Sequence, residues 1–139
     1  MQPVTAPMWA AARTLRTTMQ RCFQWAGDET TARVPEFWSE PKALVDGRLI
    51  GDCEDHAIHA YHRLRQAGWP RAALRLAVVS TKGGSERDHA LLLLDTDVGL
   101  LAFDNRARGL PLARELGYRH WLAQQPGKPI TDPWVPITP

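Results

Sequence analysis

A chain of 139 residues can bury one core but is too short for two comfortable ones, and 44% hydrophobic with 23% charged residues is an ordinary globular balance. A formal charge of +2 with no Lys/Arg cluster excludes a nucleic-acid footprint. No apolar run nears the roughly 20 residues that span a bilayer.

Residues 5–26 read as an amphipathic helix, because Met8, Ala12, Leu15, Met19, Cys22 and Phe23 recur at spacings of three and four. Arg13 and Arg16 interrupt what a signal peptide would need as its apolar centre, so the sequence as written carries no export address. The expected compartment is the cytoplasm or a phage-associated assembly if the chain is complete, and the periplasm if a leader has been removed. Gly27, Pro35 and Pro41 punctuate the loop that follows, and "PKALVDG" suggests a short helical turn. A second helix is predicted over about 53–67, capped by Asp52, with Asp55 at the third helical position. Cys53, Ala57, Ala60, Tyr61 and Leu64 form its core stripe, and Gly68 and Pro70 end it. The period then changes to that of strands over 74–80, 88–95 and 100–105, with "TKGGSER" and "DTDVG" as connections. From Pro111 the tail holds six of the eleven prolines and reads as a short helix around "LARELGYRHWLAQQ" followed by an extended wrap. Helices first and antiparallel strands afterwards make this an α+β fold. One domain over 1–139 is expected, with an N-terminal helix at 5–26, a core at about 36–110 and a proline-rich wrap at 111–139.

Of the two cysteines, Cys22 lies on an apolar helix stripe and reads as a small buried hydrophobe. Cys53 sits at a helix start, where unpaired backbone N–H groups and the helix dipole favour a thiolate and can receive an oxyanion. Nucleophilic cysteine chemistry also needs a base and a group that orients it. His89, near the start of its strand, is the candidate base, and Asp104 the candidate orienting acid. With Leu94 opposite Gly99 in the hairpin, His89 falls directly opposite Asp104 on the same face. A one-residue slip would turn Asp104 away and bring Asn105 into competition. Asp52, Glu54 and Asp55 beside the thiol oppose its ionisation. They read either as helix caps or as ligands of a hard cation such as calcium.

"GDCEDHAIHAYHRL", "DHALLLL" and "LLAFDN", preceded by "FWSEPKALVDG", resemble the bacterial transglutaminase-like cysteine proteinases, whose best-known members are the periplasmic LapG-type proteases. The similarity covers about residues 20–110. It implies a papain-like or transglutaminase-like core with the nucleophile at the start of a central helix on an antiparallel sheet. It further implies Cys53 as nucleophile, His89 as base, Asp104 as orienting acid and Trp38 as a lining residue of the oxyanion region. The substrate implied is a protein cut at small-residue sites, with calcium held by acids among Asp52, Glu54 and Asp55. The chain departs from the pattern at His56, where an aromatic residue is common, and in the tail. Two alternatives accompany the peptidase reading: an acyl transferase on the same three residues, and a non-catalytic module that binds a protein partner.

His56, His59 and His62, at spacings of three, read as a solvated histidine face rather than a zinc site. Trp25, Trp69, Trp121 and Trp134 read as core or loop anchors. "TKGGSER" lacks the framing of a phosphate loop and reads as a lid beside His89.

Overall fold

The computed structural model describes residues 3–25, 42–43, 49–51, 53–82 and 84–139. Helix α1 (Ala6–Cys22) buries Ala12 and Met19, and α2 (Cys53–Gln66) buries Ala57, Ala60 and Leu64, the positions their periodicity predicts. Acids in the first turn of α2 and Arg63 and Arg65 in its last turn both suit the helix dipole. Between the helices, strands β1 (Phe23–Trp25) and β3 (Leu49–Gly51) pair in parallel, and β2 (Lys42–Ala43) pairs antiparallel to β3. The N-terminal helix therefore stops at Cys22 rather than 26. Lys42 and Ala43 are extended instead of helical, because β3 recruits them into a ladder.

The main sheet is antiparallel throughout. Strands β4 (Leu74–Ser80), β5 (His89–Thr96), β6 (Gly99–Phe103), β7 (Arg119–Ala123) and β8 (Val135–Pro136) lie in the order β6-β5-β4-β7-β8. One face, with Leu76, Leu92, Leu94, Leu101 and Phe103, packs against Ala57, Leu64 and Trp69 on the helix side. The other, with Ala77, Val79, Leu91, Leu93 and Ala102, packs against Ala113, Trp121 and Ala123. Being covered on both faces explains the unbroken leucine run of β5, where alternation would mark a strand with one wet side. Trp69, fully buried, donates from Nε1 to the Met8 carbonyl at 3.0 Å and stacks edge-on with Trp9, tying α1 to the end of α2. Trp121 and Trp134 likewise anchor local backbone, through Nε1 bonds to Tyr118 and Ile130 carbonyls. The side chain of Trp25 lies outside the described residues.

The tail differs most from expectation. In place of a helix around 112–125 there is a 3-10 turn (Ala113–Leu116), ended by Gly117 at φ 72°, and then β7. Leu122 and Ala123 pair with Val78 and Ala77 of β4, so the tail supplies the strand that covers what would otherwise be an open edge. Local propensity yields here to that ladder and to burial of Trp121 and Ala123.

Candidate active site

Cys53 opens α2, with its thiol reduced and half-buried. Its neighbours Glu54 and Asp55 occupy the first helical turn, Glu54 buried and Asp55 half-buried. Helix α2 packs on β5, whose first residue is His89. His56, one turn along the helix from Cys53, lies close enough to His89 and Asp104 for their charges to act on it.

His89 and Asp104 are both buried, 2% and 0% exposed. His89 Nε2 meets Asp104 Oδ1 at 2.6 Å. Arg106 N donates to the same oxygen at 3.0 Å, and the Tyr118 hydroxyl donates to Oδ2 at 2.7 Å. Burial works against the charge of Asp104, but the bond to His89, the His89 charge and the bonds from Tyr118 and Arg106 outweigh it and hold the carboxyl below its ordinary range. Burial, then the bond to Asp104, raises the Tyr118 phenol above its usual value, so it stays a donor. The Tyr118 ring also packs edge-on against His89, centroids 5.6 Å apart at 79°. In the neutral tautomer that donates Nε2–H to the carboxylate the lone pair falls on Nδ1, an atom buried with no hydrogen-bond partner among the described residues. A ring so held is oriented, polarised and left with one basic atom to offer.

The hairpin register is not the predicted one. Thr96 pairs with Gly99 and Leu92 with Phe103, two residues away from a Leu94–Gly99 pairing. The turn is tighter than expected because the Thr96 hydroxyl donates to the Gly99 carbonyl at 2.7 Å and Gly99 adopts φ 124°. Asp104, just beyond β6, is thus diagonal to His89 rather than opposite. A slip of two preserves the face, so the pair still meets, at the diagonal spacing long side chains can bridge. Asn105 does not compete; its Oδ1 is buried without a hydrogen-bond partner among the described residues.

A polar layer lies beneath this pair. His56 and His59 are 2% and 8% exposed, and only His62 of the three faces water, which corrects the solvated-face reading. The His56 ring rests on Phe103, centroids 5.7 Å apart, and burial first, then the Arg16 charge, depress it to about 3. At neutral pH it is an uncharged ring, the part an aromatic residue plays at that position. Arg16 of α1, 4% exposed, donates to the Ala107 carbonyl and lies over Phe103. The "TKGGSER" connection is clamped at its stem, where Thr81 N donates to Asp88 Oδ1 at 2.7 Å and the Thr81 hydroxyl bonds Oδ2.

Asp52 and Trp38 lie outside the described residues. Carboxylate oxygens at Glu54 and Asp55 are the donor type a hard cation takes. Yet neighbouring helix positions diverge by about 100°, and the described residues contain no group of three His, Cys, Asp or Glu able to hold a metal.

Tyr118, Arg106 and Arg16 are contributors the sequence reading missed. Arg16 had a signal, since it falls between Ala12 and Met19 on the buried stripe of α1. Tyr118 had none, because nothing local says that residue 118 returns to residue 104.

Solved structures of LapG from Legionella pneumophila share the fold. The calcium-bound form aligns with TM-score 0.62 and 20% identity over 96% of this chain and 65% of that one, so the chain spans just under two thirds of its length. A second LapG structure aligns with TM-score 0.67 and 21% identity, covering 88% of this chain and 67% of that one. An EGTA-treated form gives TM-score 0.67 and 21% identity over 88% and 66%. No curated protein matches by sequence. The family model for bacterial transglutaminase-like cysteine proteinases matches residues 2–139. With a helix-start cysteine and a buried His–Asp pair on that fold, the chain belongs to the bacterial transglutaminase-like cysteine proteinase family.

Proposed function

We propose that this chain is a thiol peptidase that cleaves a peptide bond in a protein substrate through an acyl-enzyme on Cys53. The observation that carries the reading is the buried 2.6 Å contact between His89 Nε2 and Asp104, which leaves Nδ1 as the basic atom of a ring on the strand that packs against α2. In the first step Nδ1 takes the Cys53 proton and the sulfur attacks the scissile carbonyl. Backbone N–H groups and the helix dipole at the start of α2 stabilise the oxyanion, and Trp38 is assigned to the lining of that region. His89 then gives its proton to the leaving amine. Finally it activates a water that releases the acid and regenerates the thiol. Asp104 keeps the ring in one tautomer and stabilises the imidazolium without taking the proton.

Calcium, held by acids among Asp52, Glu54 and Asp55, belongs to the same proposal. It is supported by the calcium-bound form of the similar LapG structure and by the oxygen-rich first turn of α2. When bound, calcium offsets the negative charge beside Cys53.

Peptide-library digestion with Cys53→Ala as the control tests the peptidase reading. Cleavage that survives the substitution refutes it. A labelled primary amine built into the product instead of water would make the enzyme an acyl transferase. If EGTA changes neither activity nor melting temperature, the acids are helix caps.

A further inference from the structure

An arginine on an amphipathic helix normally sends its head to water. Arg16 does the reverse. It is 4% exposed on the α1 stripe between Ala12 and Met19. Its Nη2 donates to the Ala107 carbonyl, its Cζ lies 5.9 Å from the Phe103 ring centroid, and its Nε is buried with no hydrogen-bond partner among the described residues. Ala107 closes the turn that Asp104 opens. Ala107 N donates to the Asp104 carbonyl at 3.2 Å, and Arg106 N donates to the Asp104 carboxylate at 3.0 Å. The guanidinium thus grips the far end of the loop whose near end presents the carboxylate to His89.

Stability alone is a poor reason for such a residue. A buried cation bears a desolvation penalty, and an apolar side chain of similar volume on this stripe is often neutral or better. What Leu or Met could not supply is the grip on Ala107 and a positive charge near Asp104. The two charges act on each other: burial lowers the basicity of Arg16, and Asp104 counters that fall.

We propose that Arg16 is a positioning residue for the His89–Asp104 pair, through which α1 fixes the 104–107 turn and so aims the carboxylate at the imidazole. The proposal rests on the peptidase reading for its consequence, and it makes the N-terminal helix part of the support of the active site.

Full-length Arg16→Met and Arg16→Lys variants test it with two readouts. One is the downfield proton resonance of His89 Nε2–H in a histidine-labelled sample. The other is the rate of Cys53 alkylation by iodoacetamide at neutral pH, separated from Cys22 by peptide mapping. The expected result is a folded Arg16→Met protein whose His89 resonance moves upfield or is lost and whose Cys53 reacts at least tenfold more slowly. Arg16→Lys, which keeps the charge without the planar fork, should fall between it and the parent. If Arg16→Met leaves resonance and rate at parent values, the residue only packs and the proposal is overturned. Should Arg16→Met not fold, Arg16→Lys decides: an intermediate resonance supports the proposal, and an unmoved one overturns it. If parent Cys53 reacts no faster than it does in the urea-unfolded chain, the peptidase reading fails. The resonance would still report whether Arg16 holds Asp104.

Discussion

Replacing Tyr118 by Phe removes one hydroxyl and keeps the ring that packs on His89. Asp104 is fully buried, and among the described residues its Oδ2 receives a bond from Tyr118 alone, while Oδ1 is served by His89 and Arg106. A hydrogen bond to a charged group is worth about 1.5–3 kcal/mol, and leaving a buried acceptor unmet costs about 1–3 kcal/mol. These describe the same loss, so Tyr118→Phe should destabilise by roughly 2 kcal/mol. For a chain of this size that is a fall in Tm of about 6–10 °C. Cys53 alkylation should slow about tenfold, the equivalent of about 1.4 kcal/mol, because the carboxylate can turn away from His89. The stability gap has a pH signature. Asp104 is held below its ordinary value, so its contribution is present above that value and is lost as pH falls through the folded one. Parent and variant should therefore differ most near neutrality and converge in acid. Thermal melts across pH, with Tyr118→Leu to remove the ring as well, measure this. A Tm change within about 1 °C at neutral pH, with alkylation unaltered, would refute the role given to the hydroxyl.

Further expectations concern His56, Gly99 and Gln124. His56 is depressed from 6.5 to about 3, so its contribution is complete above about 6.5 and falls by about 1.4 kcal/mol per pH unit toward 3. Urea midpoints at pH 7 and pH 5 should drop less in His56→Phe than in the parent, and equal drops would contradict the assignment. Gly99→Ala forces a Cβ onto a residue at φ 124° and to within 2.9 Å of Leu112 Cδ2. Because the leucine tip can give way, the backbone strain dominates, and a loss of about 1–3 kcal/mol is expected in a thermal melt. An unchanged melt would mean the turn relaxes. Gln124, 4% exposed, accepts from Leu76 N at 3.2 Å and donates to the Lys128 carbonyl at 2.7 Å. Gln124→Leu should cost about 1–3 kcal/mol by stranding the Leu76 N–H, with faster hydrogen exchange in β4 as the check.

How far the sequence could be read depended on distance along the chain. Helical spacing of small and apolar residues marked α2 to within a residue, because side chains three and four apart share a face whatever the rest of the molecule does. The strand 74–80 and the β5–β6 hairpin were legible for the same local reason, at period two. Cys53 stood out because a helix start is a local electrostatic environment. His89 and Asp104 were reachable through one hairpin, and the error of two residues in its register was harmless because an even shift keeps the face.

The tail and the buried polar layer were not legible, and the cause is common to both. Leu112 to Gln125 carries helix-compatible residues, yet it becomes a 3-10 turn and a strand because β4, well before it in the chain, offers an unpaired edge. His56 and His59 are polar by type and were assigned to water, but β6 and α1 close over that side of α2 with Phe103 and Arg16. The α+β class, both long helices and the meeting of His89 with Asp104 were thus set by patterns within about 20 residues of sequence. Tyr118 on the carboxylate, Arg16 on its turn and a neutral His56 were decided only when segments up to 91 residues apart met. Contacts of that kind depend on which surfaces remain unsatisfied once the local elements have formed, and no local pattern records it.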